Sequence, residues 1–156
     1  MQRISPFLWF DDQAEQAAQF YVSLFPNSRI LSVSRIGDAA PGPGSVTAVR
    51  FVLDGVEFQA INGGPVFSFT EAVSFFVVAE DQAEIDRLWD ALTADGGEPG
   101  QCGWLKDRWG LSWQIVPPVL NDLIADPDRE RSRRVVEAML QMGKLDIAAL
   151  EAAAGA

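Results

Sequence analysis

Apolar and polar positions alternate along the first stretch of the chain and then change period. Ile4 to Phe10 alternates as a strand does. Ala14, Ala17, Ala18, Tyr21, Leu24 and Phe25 then fall at helical spacing, with Asp11 or Asp12 placed to cap the helix. Pro26-Asn27-Ser28 stops it, and Arg29 to Ile36 returns to strand character. Gly37 to Ser45, with three glycines and two prolines, reads as a loop. Val46 to Leu53 and Val56 to Ile61 read as strands joined by Asp54-Gly55, a pair favoured in two-residue hairpin turns.

After Asn62 to Thr70, which contains Gly63-Gly64-Pro65, the pattern restarts. Val73 to Ala79 is a predicted strand. Gln82 to Ala94 is a predicted helix with Ile85, Leu88, Trp89 and Leu92 on its apolar side. Residues 96–100 read as a turn, Trp104 to Lys106 as a short strand, 107–110 as a hairpin and Leu111 to Val116 as the last strand. Beyond Pro118 the pattern is helical. Val119 to Ala125 predicts a short helix, and Asp126-Pro127 predicts the N-cap and first position of a longer one. That helix carries Val135, Val136, Met139, Leu140 and Met142 and ends near Gly143, and Asp146 caps a last alanine-rich helix over 147–154.

The restart is a repeat. Asp12-Gln13-Ala14-Glu15 recurs as Asp81-Gln82-Ala83-Glu84, each between a strand-like run and a helical pattern. Gly55-Val56-Glu57-Phe58-Gln59-Ala60-Ile61 is echoed by Gly110-Leu111-Ser112-Trp113-Gln114-Ile115-Val116. The second copy is shorter between its helix and its final hairpin, a difference that the 37–45 loop and longer flanking strands absorb. The expected fold is therefore α+β: two βαβββ modules forming a curved mixed sheet around a shared cavity, plus C-terminal helices. The expected boundaries are 1–62 for the first module, 63–72 for a linker, 73–118 for the second module and 119–156 for the helical extension.

Composition narrows the function classes. Twelve basic against 22 acidic residues give a formal charge of -10, which repels phosphate backbones and anionic lipid. The one basic cluster, Arg129, Arg131, Arg133 and Arg134, alternates with Asp128, Glu130 and Glu137 as on a solvated helix face. No nucleic-acid partner and no membrane partner are expected. No apolar run approaches the roughly 20 residues of a membrane span, and the N-terminus lacks a signal-peptide pattern, so a cytoplasmic location is expected. With no histidine and one cysteine, Cys102, both an intrachain disulfide and a Ser-His-Asp or Cys-His nucleophile are excluded.

Strand parity selects candidate site residues. Ser5, Phe7 and Trp9 share one face of the first strand, and Ser74, Phe76 and Val78 share one face of its counterpart. Gln59 on the fourth strand matches Gln114 on the last. The duplication thus equates Ser5 with Ser74 and Gln59 with Gln114. Buried amides and hydroxyls that lack partners cost on the order of 1–3 kcal/mol each. Either these groups satisfy each other across the cavity and stitch strands together, or water or a ligand satisfies them. Trp104 and Trp113 are candidate walls of an aromatic slot, or core residues with Trp9 and Trp109. Lys106 and Asp107 form either a surface turn or an acid/base pair. Glu71 is a candidate base if burial raises its pKa. Cys102 is either a small buried residue or a thiol activated by Lys106 or a helix terminus. Arg50 is either solvated or salt-bridged, or it holds a carboxylate or phosphate.

A double βαβββ chain whose first helix opens with Asp, Ala and Phe-Tyr resembles the vicinal oxygen chelate superfamily, which includes glyoxalase and bleomycin-resistance proteins. Phe7-Leu8-Trp9-Phe10, the run from Phe20 to Ser28, Asn62-Gly63-Gly64-Pro65, Phe69-Thr70-Glu71-Ala72, the run from Cys102 to Asp107 and the run from Gly110 to Pro117 resemble its PhnB-like branch, also labelled 3-demethylubiquinone 3-methyltransferase-like. The resemblance extends over nearly the whole chain, C-terminal helices included. Metal-using members carry His or Glu on the first and last strands of each module, and here those places are Ser5, Gln59, Ser74 and Gln114. Serine and glutamine side chains are neutral and poor ligands for a divalent transition metal. No metal and no cofactor are therefore expected. A histidine common in the branch after Gly-Gly-Pro is replaced by Val66. The label implies methyl transfer, but no strand here leads through a glycine-rich turn into a helix as such a site requires. The resemblance also implies association, so a homodimer is expected.

The expected function is metal-free binding of an unidentified small molecule, aromatic or apolar. The alternatives are a metal-independent enzyme using Glu71, Lys106 or Cys102 for proton transfer, and a non-catalytic structural or interaction protein.

Overall fold

A computed structural model describes residues 2–35 and 46–155. The expected 37–45 loop, and Ile36 at the end of an expected strand, lie outside the described residues. The described residues form two compact units, Met1–Phe69 and Thr70–Ala156.

The first unit runs β1 (Phe7–Phe10), α1 (Ala14–Leu24), β2 (Arg29–Arg35), β3 (Val46–Leu53) and β4 (Val56–Asn62). Its strands form a mixed sheet in the order β1-β4-β3-β2. β1 pairs parallel to β4, with Phe7 opposite Gln59 and Trp9 opposite Ile61. β3 and β4 are antiparallel, with Arg50 opposite Gln59. Their hairpin turns at Asp54 (φ 45°) and Gly55 (φ 81°). Two consecutive positive φ values are what a two-residue turn matched to strand twist demands, which is why Asp-Gly sits there. One face of the sheet is apolar and buried, through Leu8, Phe10, Val49, Phe51, Phe58 and Ala60. It meets the buried stripe Ala14, Ala17, Ala18, Tyr21 and Leu24 of α1, where small residues let the helix approach closely. Tyr21 and Phe51 lie ring to ring at 6.5 Å.

The second unit repeats the order with β5 (Ser74–Val78), α2 (Gln82–Thr93), β6 (Glu98–Pro99), β7 (Trp104–Lys106) and β8 (Ser112–Val116). The sheet order is β5-β8-β7-β6, again with the first and last strands of the module parallel. Its buried face presents Leu105, Trp113 and Ile115, against Ile85, Leu88, Trp89 and Leu92 of α2. Three further helices follow, α3 (Pro118–Ile124), α4 (Arg129–Leu140) and α5 (Ile147–Gly155). They close over a second core of Val116, Leu120, Val135, Leu145, Leu150 and Ala154. The α+β architecture of two βαβββ modules plus C-terminal helices is thus the one expected from the repeat. Among the described residues no helix is long and apolar enough to cross a membrane.

Several local expectations are corrected. β6 falls inside the expected 96–100 turn. It is two residues long and contains a proline, which an edge strand tolerates and a periodicity reading passes over. α1 is not capped by Asp11 or Asp12. Its N-cap is Gln13, with no cap from its own side chain, and the backbone N–H of Ala14 instead donates to the Asn62 carbonyl oxygen Oδ1 at 2.8 Å. α4 starts two residues later than Asp126-Pro127 suggests. Asp128 caps it by accepting from the N–H groups of Glu130 and Arg131 at 3.0 and 3.3 Å, while Asp126 accepts from the N–H of Asp128.

Candidate functional site

Each sheet has a second face that its helix does not cover, and strand alternation puts most of the expected site residues there. In the first unit this face carries Phe7 and half-buried Trp9, with Gln59 and Ile61 beside them. Ser5 precedes β1 on the same parity. The Gln59 amide donates to the Ser5 hydroxyl at 3.5 Å. In the second unit the equivalent face carries Ser74, Phe76, Ser112, Gln114, Trp104 and Lys106. The Gln114 amide donates to the Ser74 hydroxyl at 2.9 Å. The four equivalent polar groups therefore satisfy one another inside each module, between parallel neighbours. Phe7 and Phe76, at matching positions, remain 56% and 51% exposed.

Trp9 is held by the glycine turn that follows β4. Its indole N–H donates to the Gly64 carbonyl at 2.9 Å, and its ring meets Phe67 edge-on at 5.0 Å. A Cβ on Gly63 would fall 2.1 Å from a ring carbon of Trp9, so only glycine leaves room for the indole. The N–H groups of Gly63 and Gly64 donate to the carbonyls of Phe10 and Asp11. They are spent on closing the turn.

Lys106 and Glu71 meet in an ion pair at the edge of a cavity of about 190 Å³ in the second unit, and Glu98 stands 4.0 Å from the ammonium. The burial that would make Glu71 a base is absent, since its side chain is 58% exposed. The hydrogen bond from Lys106 lowers the pKa of Glu71, and the same bond raises that of Lys106. Both groups are held in their charged forms.

Three expectations change at this site. Trp113 lies on the covered face, opposite in parity to Gln114. It is 2% exposed, with its indole N–H donating to Asp107 Oδ2 at 2.9 Å. Asp107 is not a surface turn or an acid/base partner. It is 2% exposed and its other oxygen accepts from the N–H groups of Trp109 and Leu111, so it pins the hairpin from inside. Cys102 does not line the cavity. It takes a left-handed backbone (φ 59°), and its N–H donates to the Met142 carbonyl in the C-terminal segment. Arg50 is salt-bridged, its guanidinium holding Glu57 Oε1 at 2.6 Å. Ser112 and Glu98 were missed by parity arguments that stopped at the glutamines, although Ser112 shares the parity of Gln114. Among the described residues no three His, Cys, Asp or Glu side chains gather as a metal ligand set. The neutral side chains of Ser5, Gln59, Ser74 and Gln114 are a set that does not fit a divalent transition metal.

Two βαβββ modules, each with a helix on one sheet face and the other face left uncovered by that helix, make the fold that the resemblance to vicinal oxygen chelate proteins implies. Comparison with known proteins narrows this. Residues 2–116 match the model of the family described as 3-demethylubiquinone-9 3-methyltransferase, and the chain belongs to that family. A putative 3-demethylubiquinone-9 3-methyltransferase, PhnB protein, from Bacillus cereus is 36% identical, with a TM-score of 0.69 over 74% of this chain and 99% of that one. A Pseudomonas aeruginosa protein shares the fold at 20% identity and a TM-score of 0.62, over 75% of this chain and 98% of that one. So does the fosfomycin resistance protein FosX from Mesorhizobium loti, at 12% identity and a TM-score of 0.55, over 81% of this chain and 100% of that one. No match was found among curated proteins. The family match ends at Val116, ahead of the C-terminal helices.

Proposed function

We propose that this chain is a metal-free small-molecule-binding protein of the vicinal oxygen chelate type. Its ligand is aromatic or otherwise apolar, and it acts as a cytoplasmic homodimer. One observation carries the reading. The four chelating places hold only neutral groups, hydrogen-bonded in two equivalent pairs from Gln59 to Ser5 and from Gln114 to Ser74. A divalent ion there would meet no compensating charge. Beside each pair stands an exposed phenylalanine, Phe7 or Phe76, which supports contact with an apolar surface.

Metal-independent proton transfer is less well supported. A general acid or base works best with a pKa near the working pH, and the Glu71–Lys106 pair moves both groups away from it. The methyl transfer named in the family's description is not carried over. The glycine turn after β4 leads towards β5 rather than into a helix, and its N–H groups are already bonded to backbone. Native mass spectrometry of the purified full chain tests the proposal. The expected spectrum shows a dimer without a stoichiometric transition metal, and a small-molecule adduct lost on denaturation. One retained transition metal per chain, lost in the double variant Gln59→Ala, Gln114→Ala, overturns it.

A further inference from the structure

A polar row crosses all four strands on the uncovered face of the second sheet. Ser74 lies opposite Ser112, Ser112 opposite Lys106, and Lys106 opposite Glu98. Ser112, Lys106 and Glu98 line the 190 Å³ cavity with Glu71 and an apolar wall that includes Trp104 and Pro99. Ligand sites commonly measure about 300–1,000 Å³, so this one suits a compound with a single ring.

Ser112 is fully buried, and among the described residues its hydroxyl has no hydrogen-bond partner. Ser74 beside it is engaged by Gln114. Lys106 carries three N–H donors, and the ion pair with Glu71 leaves donor capacity towards the cavity. The Ser112 hydroxyl thus lacks a partner, and the Lys106 ammonium opposite it has N–H donors beyond the one that Glu71 engages. Charge selects which acceptor. The walls set Glu71 and Glu98 against one lysine. A carboxylate would enter against two like charges, and an ammonium would bring no acceptor at all. A neutral carbonyl oxygen answers both donors and adds no charge. Among the described residues the first module has no counterpart. Its residue equivalent to Ser112 is Glu57, already paired with Arg50.

Resting on the small-molecule-binding reading above, we propose that this cavity is a subsite for a small neutral carbonyl compound. An amide, ketone or aldehyde with a ring-sized apolar body would place its oxygen between the Ser112 hydroxyl and the Lys106 ammonium. The ring would lie against Trp104.

The test is a titration of the ¹⁵N-labelled full chain with benzamide, benzoate and benzylammonium, followed by NMR at the amides of Trp104, Lys106 and Ser112 and at the Trp104 indole. Benzamide is expected to shift these signals and to bind more tightly than the two charged probes. Ser112→Ala and Lys106→Met should each weaken benzamide about five- to tenfold, the loss of one hydrogen bond. Ser112→Ala removes an unmet buried hydroxyl, so its Tm should equal or exceed that of the parent and its weaker binding cannot be ascribed to unfolding. Tighter binding of either charged probe, or benzamide binding that is indifferent to Ser112→Ala or confined to other signals, overturns the carbonyl assignment and leaves the binding reading standing. If no probe shifts any signal, the assignment falls. The binding reading falls with it only if native mass spectrometry also finds no small-molecule adduct.

Discussion

Gly63 and Trp9 form a matched pair. Any side chain at 63 must displace the indole, break its bond to the Gly64 carbonyl and tilt the turn after β4. Gly63→Ala is expected to cost about 1–3 kcal/mol, as overpacking usually does, measured as a lowered denaturant midpoint with an altered Trp9 environment. The Glu71–Lys106 pair yields a pH prediction. A carboxyl whose pKa is lowered by folding lends stability that is complete above its ordinary value and is lost as pH falls through the lowered one. NMR titration of the Glu71 carboxyl should therefore give a midpoint below the ordinary glutamate value. Glu71→Gln should return Lys106 towards its ordinary value, with little change in Tm because the pair is exposed. Much at this scale was legible from parity, which found Phe7, Trp9, Phe76, Gln59 and Gln114. Trp113 stayed open between slot and core because an indole was weighed by type rather than by face, and Ser112 was left out because the parity argument stopped at the glutamines.

At the scale of elements, the same four letters behave differently in the two modules. Asp81 accepts from the N–H of Glu84 at 2.8 Å while the Glu84 carboxylate accepts from the N–H of Glu80, so α2 is closed at its N-terminus by its own sequence. α1 starts one position later in the copied motif and takes its cap from Asn62, on a strand distant in sequence. Asp81→Ala should destabilise by about 1 kcal/mol in chemical denaturation, whereas Asp12→Ala should leave stability nearly unchanged. Asn62→Ala should behave like Asp81→Ala. Local signals such as Asp-Gly at the β3–β4 turn were readable, because they act within two residues. A cap supplied from another strand, or a two-residue β6 whose strand character comes only from its partner β7, has no local signature to read.

At the scale of the whole molecule, the basic cluster and the C-terminal helices explain each other. Arg131 donates to the Ala154 carbonyl at 3.1 Å, and Arg134 to those of Ala153 and Ala154 at 3.0 and 3.2 Å. Two of the four arginines thus close the C-terminal end of α5, where cations are favoured, while Arg133 pairs along its own helix with Glu130 and Glu137. The extension is tied to the second module by Gln82, whose amide donates to the Leu145 carbonyl at 3.0 Å and accepts from the N–H of Ile147 at 2.9 Å. The backbones of Cys102 and Gly103 add bonds to Met142 and Gly143. Gln82→Ala should reduce hydrogen-exchange protection of the α5 amides about tenfold or more while leaving those of α1 unchanged.

The placement of Val116 has a consequence for how such a chain can change over generations. A tail on a loose tether can be lost through a single deletion with little harm. Here the final residue matched by the family is itself a wall of the tail's interior, 4% exposed beside Leu120 and Leu145. A chain cut back to Val116 would bare that valine to water, and would first need polar replacements along the seam. Because Val116, Leu120 and Leu145 share one core, removing the helices exposes contiguous apolar surface, and with it a tendency to aggregate.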